Sequence, residues 1–474
     1  MKVLRVAIDA ALAPYRPEIT WILQTLFAGL GYAWSEVQFG EPCDLAYGVG
    51  PGAGARCWWP ARPERWRSRA SLTLAEVTEA EGRLRFRFHG EAAPAPHGHD
   101  ELFDAFWLAS GLAETNWPKD RFGFFSMEGS RLHAAGVFRK APVSALAHRL
   151  RKDLEPHVGP PGFPRWPGGA RAAACAAHDV DYPEVKRLIE PLRAVRRLGG
   201  RGVVPALELL LGRRHHWHFD GWTRAEEAIG MRSAFYFVAR AGSLLEYALG
   251  TPDPFYDVGK AKFGRLMADL AANGFEVGMQ ASYNAYRNVA AFRAEKARVE
   301  AALGALVAGN RHHYWHLNPA DAEETLLIHE AAGLLYDSSL AFEQTIGWRR
   351  GIAWPFFPYS HRLRRPIRTL QLQTTWMDDQ LFGYAAHNGG SAREALLDGL
   401  VATVRDQGGL LMADMHEYVF DPVLFPAWAE TYFRLLERLA ADREVYLARP
   451  VDVARHWIAR ADAIAKASLG LAAA

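Results

Sequence analysis

The stretch RAAACAAHDVDYPEVKR, residues 171–187, reads as a strand of small side chains whose far end carries His178, Asp179 and Asp181. Two carboxylates two residues apart repel one another if both are ionised and buried, and a bound cation or an arginine relieves that repulsion. One of the pair can hold a divalent metal while the other takes a proton from water at the metal. The plainer alternative is an Asx-turn or a helix cap at a strand end.

Working outward, short apolar segments recur at 233–239, 275–280, 312–317, 334–340, 369–376, 409–416 and 445–448. Helical spacing falls between several of them, at 223–229, 260–272, 291–306, 320–332, 391–405 and 427–441. Strand–helix alternation over this length predicts a β/α barrel, with a site at the C-terminal ends of the strands. The polar residues after each apolar segment are therefore read together. Gln280 ends one strand within GMQASYN, and His312 and His313 end another within RHHYWH. Adjacent residues of an extended segment face opposite ways, so one of the two histidines faces the centre. Arg349, in GWRRG, can set a guanidinium against a carboxylate or a substrate. Asp378 follows Met377 at another strand end, with an N-cap as the plainer role. Asp414 and His416 fall on one face, which suits a general acid positioned by a carboxylate. Trp348, Trp354 and Trp376 lie near the same ends, where flat rings with a polar edge suit a ligand face, although core packing accounts for most of the 16 tryptophans. The run His215-His216-Trp217-His218 is expected to be an exposed loop.

The chain has 474 residues, half of them hydrophobic and 23% charged, enough for a large core. Lys+Arg (55) and Asp+Glu (53) nearly balance, which argues against a protein built mainly to bind nucleic acid or an anionic membrane. Three cysteines without framework spacing, Cys43, Cys57 and Cys175, fit a reducing compartment. The N-terminal sequence reads as a strand and a helix, not as an export signal, and no long apolar run predicts a membrane span, so a cytoplasmic location is expected. Residues 155–170, rich in Pro and Gly, divide the chain into a smaller α/β domain (1–160) and the barrel (161–474).

The motifs HDVDYPEVKR, EVGMQASYNAY, RHHYWHLNP, LLYDSSLAFEQTIGWRRG, TTWMDDQL and LLMADMHEY, in that order, resemble the polysaccharide deacetylase superfamily, carbohydrate esterase family four and its relatives. The closer likeness is to a bacterial branch with an HDVD motif, and ELFDAFWLASGLAE resembles the domain that precedes such barrels. The resemblance covers about residues 165–460 and implies a distorted (β/α)7-type barrel. It also implies a metal-bound water that attacks the acyl carbonyl of an N-acetylated sugar.

Carried over residue by residue, Asp179 matches the general base, Asp181 the metal carboxylate, and Arg311 the arginine that holds the base. Tyr314 matches the residue whose backbone N–H helps stabilise the oxyanion, and His416 the acid that protonates the leaving amine. The family's metal-binding histidine pair, spaced i, i+4, is replaced here by Gln280 and Asn284. Ligation of a divalent metal, zinc foremost, would then fall more heavily on Asp181 with His313 or His178.

Two readings follow. One is a metal-dependent hydrolase that removes an N-acyl group, acetyl foremost, from an amino-sugar-containing glycan or sugar conjugate in polysaccharide biosynthesis. The other is a barrel that has lost catalysis and serves as a glycan-binding or scaffolding subunit.

Overall fold

The apolar alternation at the start of the chain forms β1 (Leu4–Ile8), and the helix Arg16–Leu30 carries the chain to β2 (Trp34–Val37). The computed structural model describes residues 2–80, 82–91, 98–186, 189–383 and 389–470. With β3 (Cys43–Gly48) and β4 (Ala55–Pro60), these strands make a parallel sheet in the order β2-β1-β3-β4. An antiparallel hairpin of β5 (Leu74–Ala80) and β6 (Arg83–Phe88) follows. The helix Pro142–Val158 packs on β3 and β4 and runs into the Pro- and Gly-rich stretch. Pro156 is accommodated in its last turn, so residues 155–158 are helix and not linker.

The second part is built on β7 (Ala172–Val180), β8 (Ala234–Val238), β9 (Glu276–Ala281), β10 (Gly309–His312) and β11 (Tyr336–Asp337). A small hairpin, β12 (Tyr359–Ser360) and β13 (Arg365–Pro366), interrupts the series. Then come β14 (Leu370–Gln371), β15 (Trp376–Met377), β16 (Leu410–His416) and β17 (Val445–Leu447). These strands, β12 and β13 excepted, pair in parallel in the order β14-β11-β10-β9-β8-β7-β16-β15, with β17 beside the start of β7.

The two ends of that path, β14 and β15, are successive pieces of one stretch of chain. Leu372 N–H donates to Asp337 O at 2.9 Å, and Thr375 N–H donates to Met412 O at 2.9 Å. One interrupted strand therefore bridges β11 and β16 and closes the sheet into a ring of seven strand positions, a distorted (β/α)7-type barrel. The expected segment at 369–376 is this broken strand. The expected segment at 312–317 leaves the sheet after His312, because His313–Trp315 form a tight turn.

Period-two alternation sorts the strand residues. Ala172, Ala174 and Ala176 of β7 share an outer core with Phe235, Phe237, Val277, Met279 and Leu411 beneath the helices. Burying each of the larger of these contributes about 1.5–3 kcal/mol. Ala173, Cys175 and Ala177 face inward with Tyr236, Tyr336, Leu370 and Met412, in a cluster that continues into Val6, Leu26 and Phe106 of the N-terminal part. Tyr236 and Tyr336 fill the barrel floor, their hydroxyls 2.7 Å apart, and Tyr336 also donates to Glu276 Oε1 at 2.6 Å. The glycines opposite make this possible: a Cβ on Gly278 would lie 2.3 Å from the Tyr236 ring, and one on Gly309 2.0 Å from the Tyr336 ring.

Candidate active site

The same alternation decides which strand-end residues meet. Asp179, Gln280, Arg311, Asp414 and His416 continue the inward rows of β7, β9, β10 and β16. Arg311 is fully buried at their centre. Its Nη1 lies 2.9 Å from Asp179 Oδ1 and 2.6 Å from Asp414 Oδ1, its Nε donates to Ser338 Oγ at 3.1 Å, and its guanidinium sits 4.7 Å over the Tyr236 ring. Gln280 Nε2 donates to the other Asp179 oxygen at 3.1 Å. Burial pushes the Asp179 carboxyl above the usual carboxylate range even with Arg311 pulling against it. Burial, and then the charge of Asp179, push Asp414 up as well. One guanidinium thus serves two carboxylates, and the cleft-side one retains affinity for a proton.

Asp181 leaves the strand at the cleft, its backbone N–H held by Glu417 Oε2 at 2.9 Å. Its Oδ2 lies 3.4 Å from His313 Nε2 and 3.5 Å from His416 Nε2. Burial opposes its charge, but the two imidazoles outweigh it and hold the carboxyl well below the usual range. Each ring is oriented from behind by a second carboxylate. His313 Nδ1 is 3.1 Å from Asp253 Oδ1, which also accepts Tyr283 N–H at 2.8 Å. His416 Nδ1 is 2.9 Å from Asp378 Oδ1, and His416 N–H donates to Asp378 Oδ2 at 2.7 Å. Burial disfavours protonation of both rings, yet Asp181 and Asp253 raise His313 to about 9, and Asp378 leads the groups that raise His416 well above the ordinary imidazole value. Tyr182, Tyr314, Trp315, Glu343, Asp379 and Tyr418 complete the cleft wall. Tyr314 and Trp315 both adopt left-handed backbone (φ 57° and 49°), an uncommon strain for non-glycine residues that turns this segment along the cleft.

On the cleft side, Asp181 Oδ1, Gln280 Oε1 and His313 Nε2 are buried without a hydrogen-bond partner among the described residues, as are Asp253 Oδ2, Arg311 Nη2 and both Asp414 oxygens behind them. A carboxylate, an amide carbonyl and an imidazole backed by a carboxylate form a donor set that fits a divalent cation. Ligand atoms of Asp378, Asp379 and His416 also lie within 4.8 Å of one another, but Asp378 already spends both oxygens on His416.

Several expected site residues lie elsewhere. His178 alternates outward: Nδ1 faces Met415 O at 3.1 Å and Nε2 faces Glu226 Oε1 at 2.8 Å, so both nitrogens are engaged and it cannot ligate a metal in the cleft. Asp378 is buried under His416 and is its orienting carboxylate, the place expected for Asp414; Asp379 is the one that faces the cleft. Asp414 stands behind Arg311, away from the cleft wall. Arg349 pairs bidentately with Glu114 of the N-terminal part, at 2.9 and 2.7 Å, and so clasps the two parts together. Trp348, Trp354 and Trp376 are buried core residues and present no face to a sugar. Asn284 turns to Thr251. The histidine run at 215–218 is not simply exposed: His216 is buried, with Nδ1 on Tyr182 O at 3.1 Å. Asp253, Tyr182 and Glu417 are the functional-looking residues that the sequence pattern missed. Asp253 lies in a loop, with no strand to give it a phase.

No family model matches the chain, and no curated protein matches it. Solved structures do. The PuuE allantoinase is 16% identical, with a TM-score of 0.43, over 63% of this chain and 94% of that one. A Mycobacterium smegmatis protein assigned as a polysaccharide deacetylase is 17% identical, with a TM-score of 0.42, over 62% and 93%. The polysaccharide deacetylase Bc1974 from Bacillus cereus is 11% identical, with a TM-score of 0.29, over 59% and 91%.

Proposed function

We propose that the chain is a hydrolase of the polysaccharide deacetylase type, which cleaves an N-acyl group, acetyl foremost, from an amino-sugar-containing glycan or sugar conjugate. The observation that carries this is the pair formed by Asp179 and His416, opposite in strand register, with the anionic Asp181 between the cleft histidines. Asp179 is the base: buried and held by Arg311 and Gln280, it takes a proton from water as the water oxygen attacks the acyl carbon. His416, kept protonated by Asp378, donates from Nε2 to the amine nitrogen as the C–N bond breaks, leaving a carboxylic acid and a free amino sugar. Tyr314, on its strained turn, borders the position of the acyl oxygen and supplies a backbone N–H for it. Asp181, His313 and Gln280 would hold a divalent metal, zinc foremost. Such an ion supplies Lewis acidity toward the acyl carbonyl.

The test is acetate release from N-acetylglucosamine oligomers and from lipid-linked or nucleotide-linked N-acetyl sugars, with added Zn²⁺, Co²⁺ or Ni²⁺. Turnover that disappears in Asp179→Ala supports the hydrolase. Tight glycan binding without turnover in either protein assigns the barrel to the glycan-binding alternative instead.

A further inference from the structure

We infer that a basic, aliphatic face beside the cleft docks the protein on an anionic lipid bilayer. Of the eighteen large apolar side chains exposed among the described residues, eleven fall within 192–211 and 244–249, so the exposure is concentrated and not scattered. The helix Val203–Leu210 is built outward in reverse. Pro205, Ala206 and Leu209 are buried, while Val203, Val204, Leu207 and Leu210 lie on the solvent side, joined by Leu211 just beyond its end. The helix Glu190–Leu198 packs against it and exposes Leu192 and Val195. The short helix Leu244–Ala248 adds Leu244 and Leu245, each about seven-tenths exposed.

Charge names the occupant. Residues 189–214 contain six arginines and two glutamates and 244–249 adds Glu246, a local excess of three positive charges inside a chain whose total is only +2, with Arg193 paired to Glu190 and Arg214 to Glu208 and Asp421. Arg196, Arg201 and Arg213 are exposed among the aliphatic side chains. Leucine and valine set between arginines is the composition that enters the headgroup boundary of an anionic leaflet. A twofold contact with a second copy would instead oppose one arginine-rich face to the same face, and like charges disfavour it. The face borders the site: Arg193 lies 5.3 Å over the ring of Tyr182, a cleft-wall residue, and also reaches Tyr247 Oη at 3.4 Å. Docking there brings the cleft mouth to the bilayer surface, where a substrate on a lipid carrier would present its sugar.

The experiment is co-sedimentation of the full chain with vesicles of equal parts phosphatidylcholine and phosphatidylglycerol, and with phosphatidylcholine alone. Binding about tenfold stronger to the mixed vesicles, weakened by salt, is expected. The double substitution Leu207→Ser/Leu211→Ser should abolish it without lowering the unfolding temperature, since both side chains are exposed. Equal or absent binding to the two vesicle types overturns the inference, as does undiminished binding of the double variant. A concentration-dependent dimer in ultracentrifugation that the same variant dissolves, with no vesicle binding, reassigns the face to a second copy. Vesicle binding is read without turnover, so it stands or falls separately from the hydrolase reading.

Discussion

His416 stands directly opposite Asp179 in the register of two adjacent parallel strands, β16 and β7. Facing register in a parallel pair puts both side chains on the same side of the sheet, here the barrel interior. Neither is free to turn. Arg311 and Gln280 grip Asp179, and Asp378 grips His416 through both its ring and its backbone N–H. The strands thus fix the proposed acid and the proposed base on one wall, with Asp181 at the lip.

On the proposed mechanism, Asp179→Asn and His416→Ala should each lower kcat by about 10²- to 10⁴-fold, the usual weight of a positioned acid or base, while leaving binding of the glycan probe near that of the parent. Asp378→Asn is more diagnostic. Without that carboxylate the His416 ring falls back toward the ordinary imidazole value, so the alkaline limb of the kcat profile moves to lower pH. A pH profile that keeps its alkaline limb in Asp378→Asn contradicts the role of His416 as acid.

Arg311 holds two buried carboxylates on one guanidinium. Arg311→Met leaves both without their cation, and breaking a buried pair this way costs about 3–5 kcal/mol. Denaturant unfolding should show that loss. Arg311→Met combined with Asp414→Asn should recover part of it, because one of the two stranded charges is then gone. Additive losses in the double variant would show that Asp414 and Arg311 do not act as a pair.

Much of this was legible in sequence because strands have a period of two. Asp414 and His416 follow from alternation along one apolar segment and Asp179 from an acidic pair at a strand end, Arg311 comes only through the family resemblance, and strand–helix alternation is enough to suggest a barrel. What escaped lies where no period operates. Asp253 comes from a loop and reaches His313 only through the tertiary fold. The carboxylate behind His416 is Asp378, the residue that follows β15 and opens a short helix, because β15 pairs alongside β16 and delivers it to the ring. The tryptophans were misplaced for a related reason: closeness to a strand end in sequence does not tell an outward side chain under a helix from one in the cleft. His178 is the clearest case, since one residue of phase separates it from Asp179.

Glu276 lies on the barrel floor, with Tyr336 donating to one oxygen and Val451 N–H to the other. Burial lifts its carboxyl to about 7. A folded-state value above the unfolded one means the native state holds the extra proton between the two, so stability falls as pH rises from about 4.5 to about 7. At roughly 1.4 kcal/mol per unit, the change is on the order of 3 kcal/mol. Glu276→Gln removes the titration. Urea unfolding across pH 5 to 8 should therefore show a flatter profile than the parent, and an unchanged slope would place the titrating group elsewhere.

The metal question turns on Gln280, whose carbonyl oxygen is buried without a partner while its amide serves Asp179. Gln280→His offers an imidazole in place of a weak oxygen donor and should tighten zinc binding, read by calorimetry or by metal retained after dialysis. The same change removes a hydrogen bond from Asp179, so tighter binding need not raise turnover. Asp253→Ala tests the site from behind: loss of the carboxylate that orients His313 should weaken zinc by about 10- to 100-fold. His313→Ala should remove most of it. Equal, substoichiometric zinc in the parent and in His313→Ala would mean that the two imidazoles alone neutralise Asp181, with a proton on His313 doing what the ion would otherwise do.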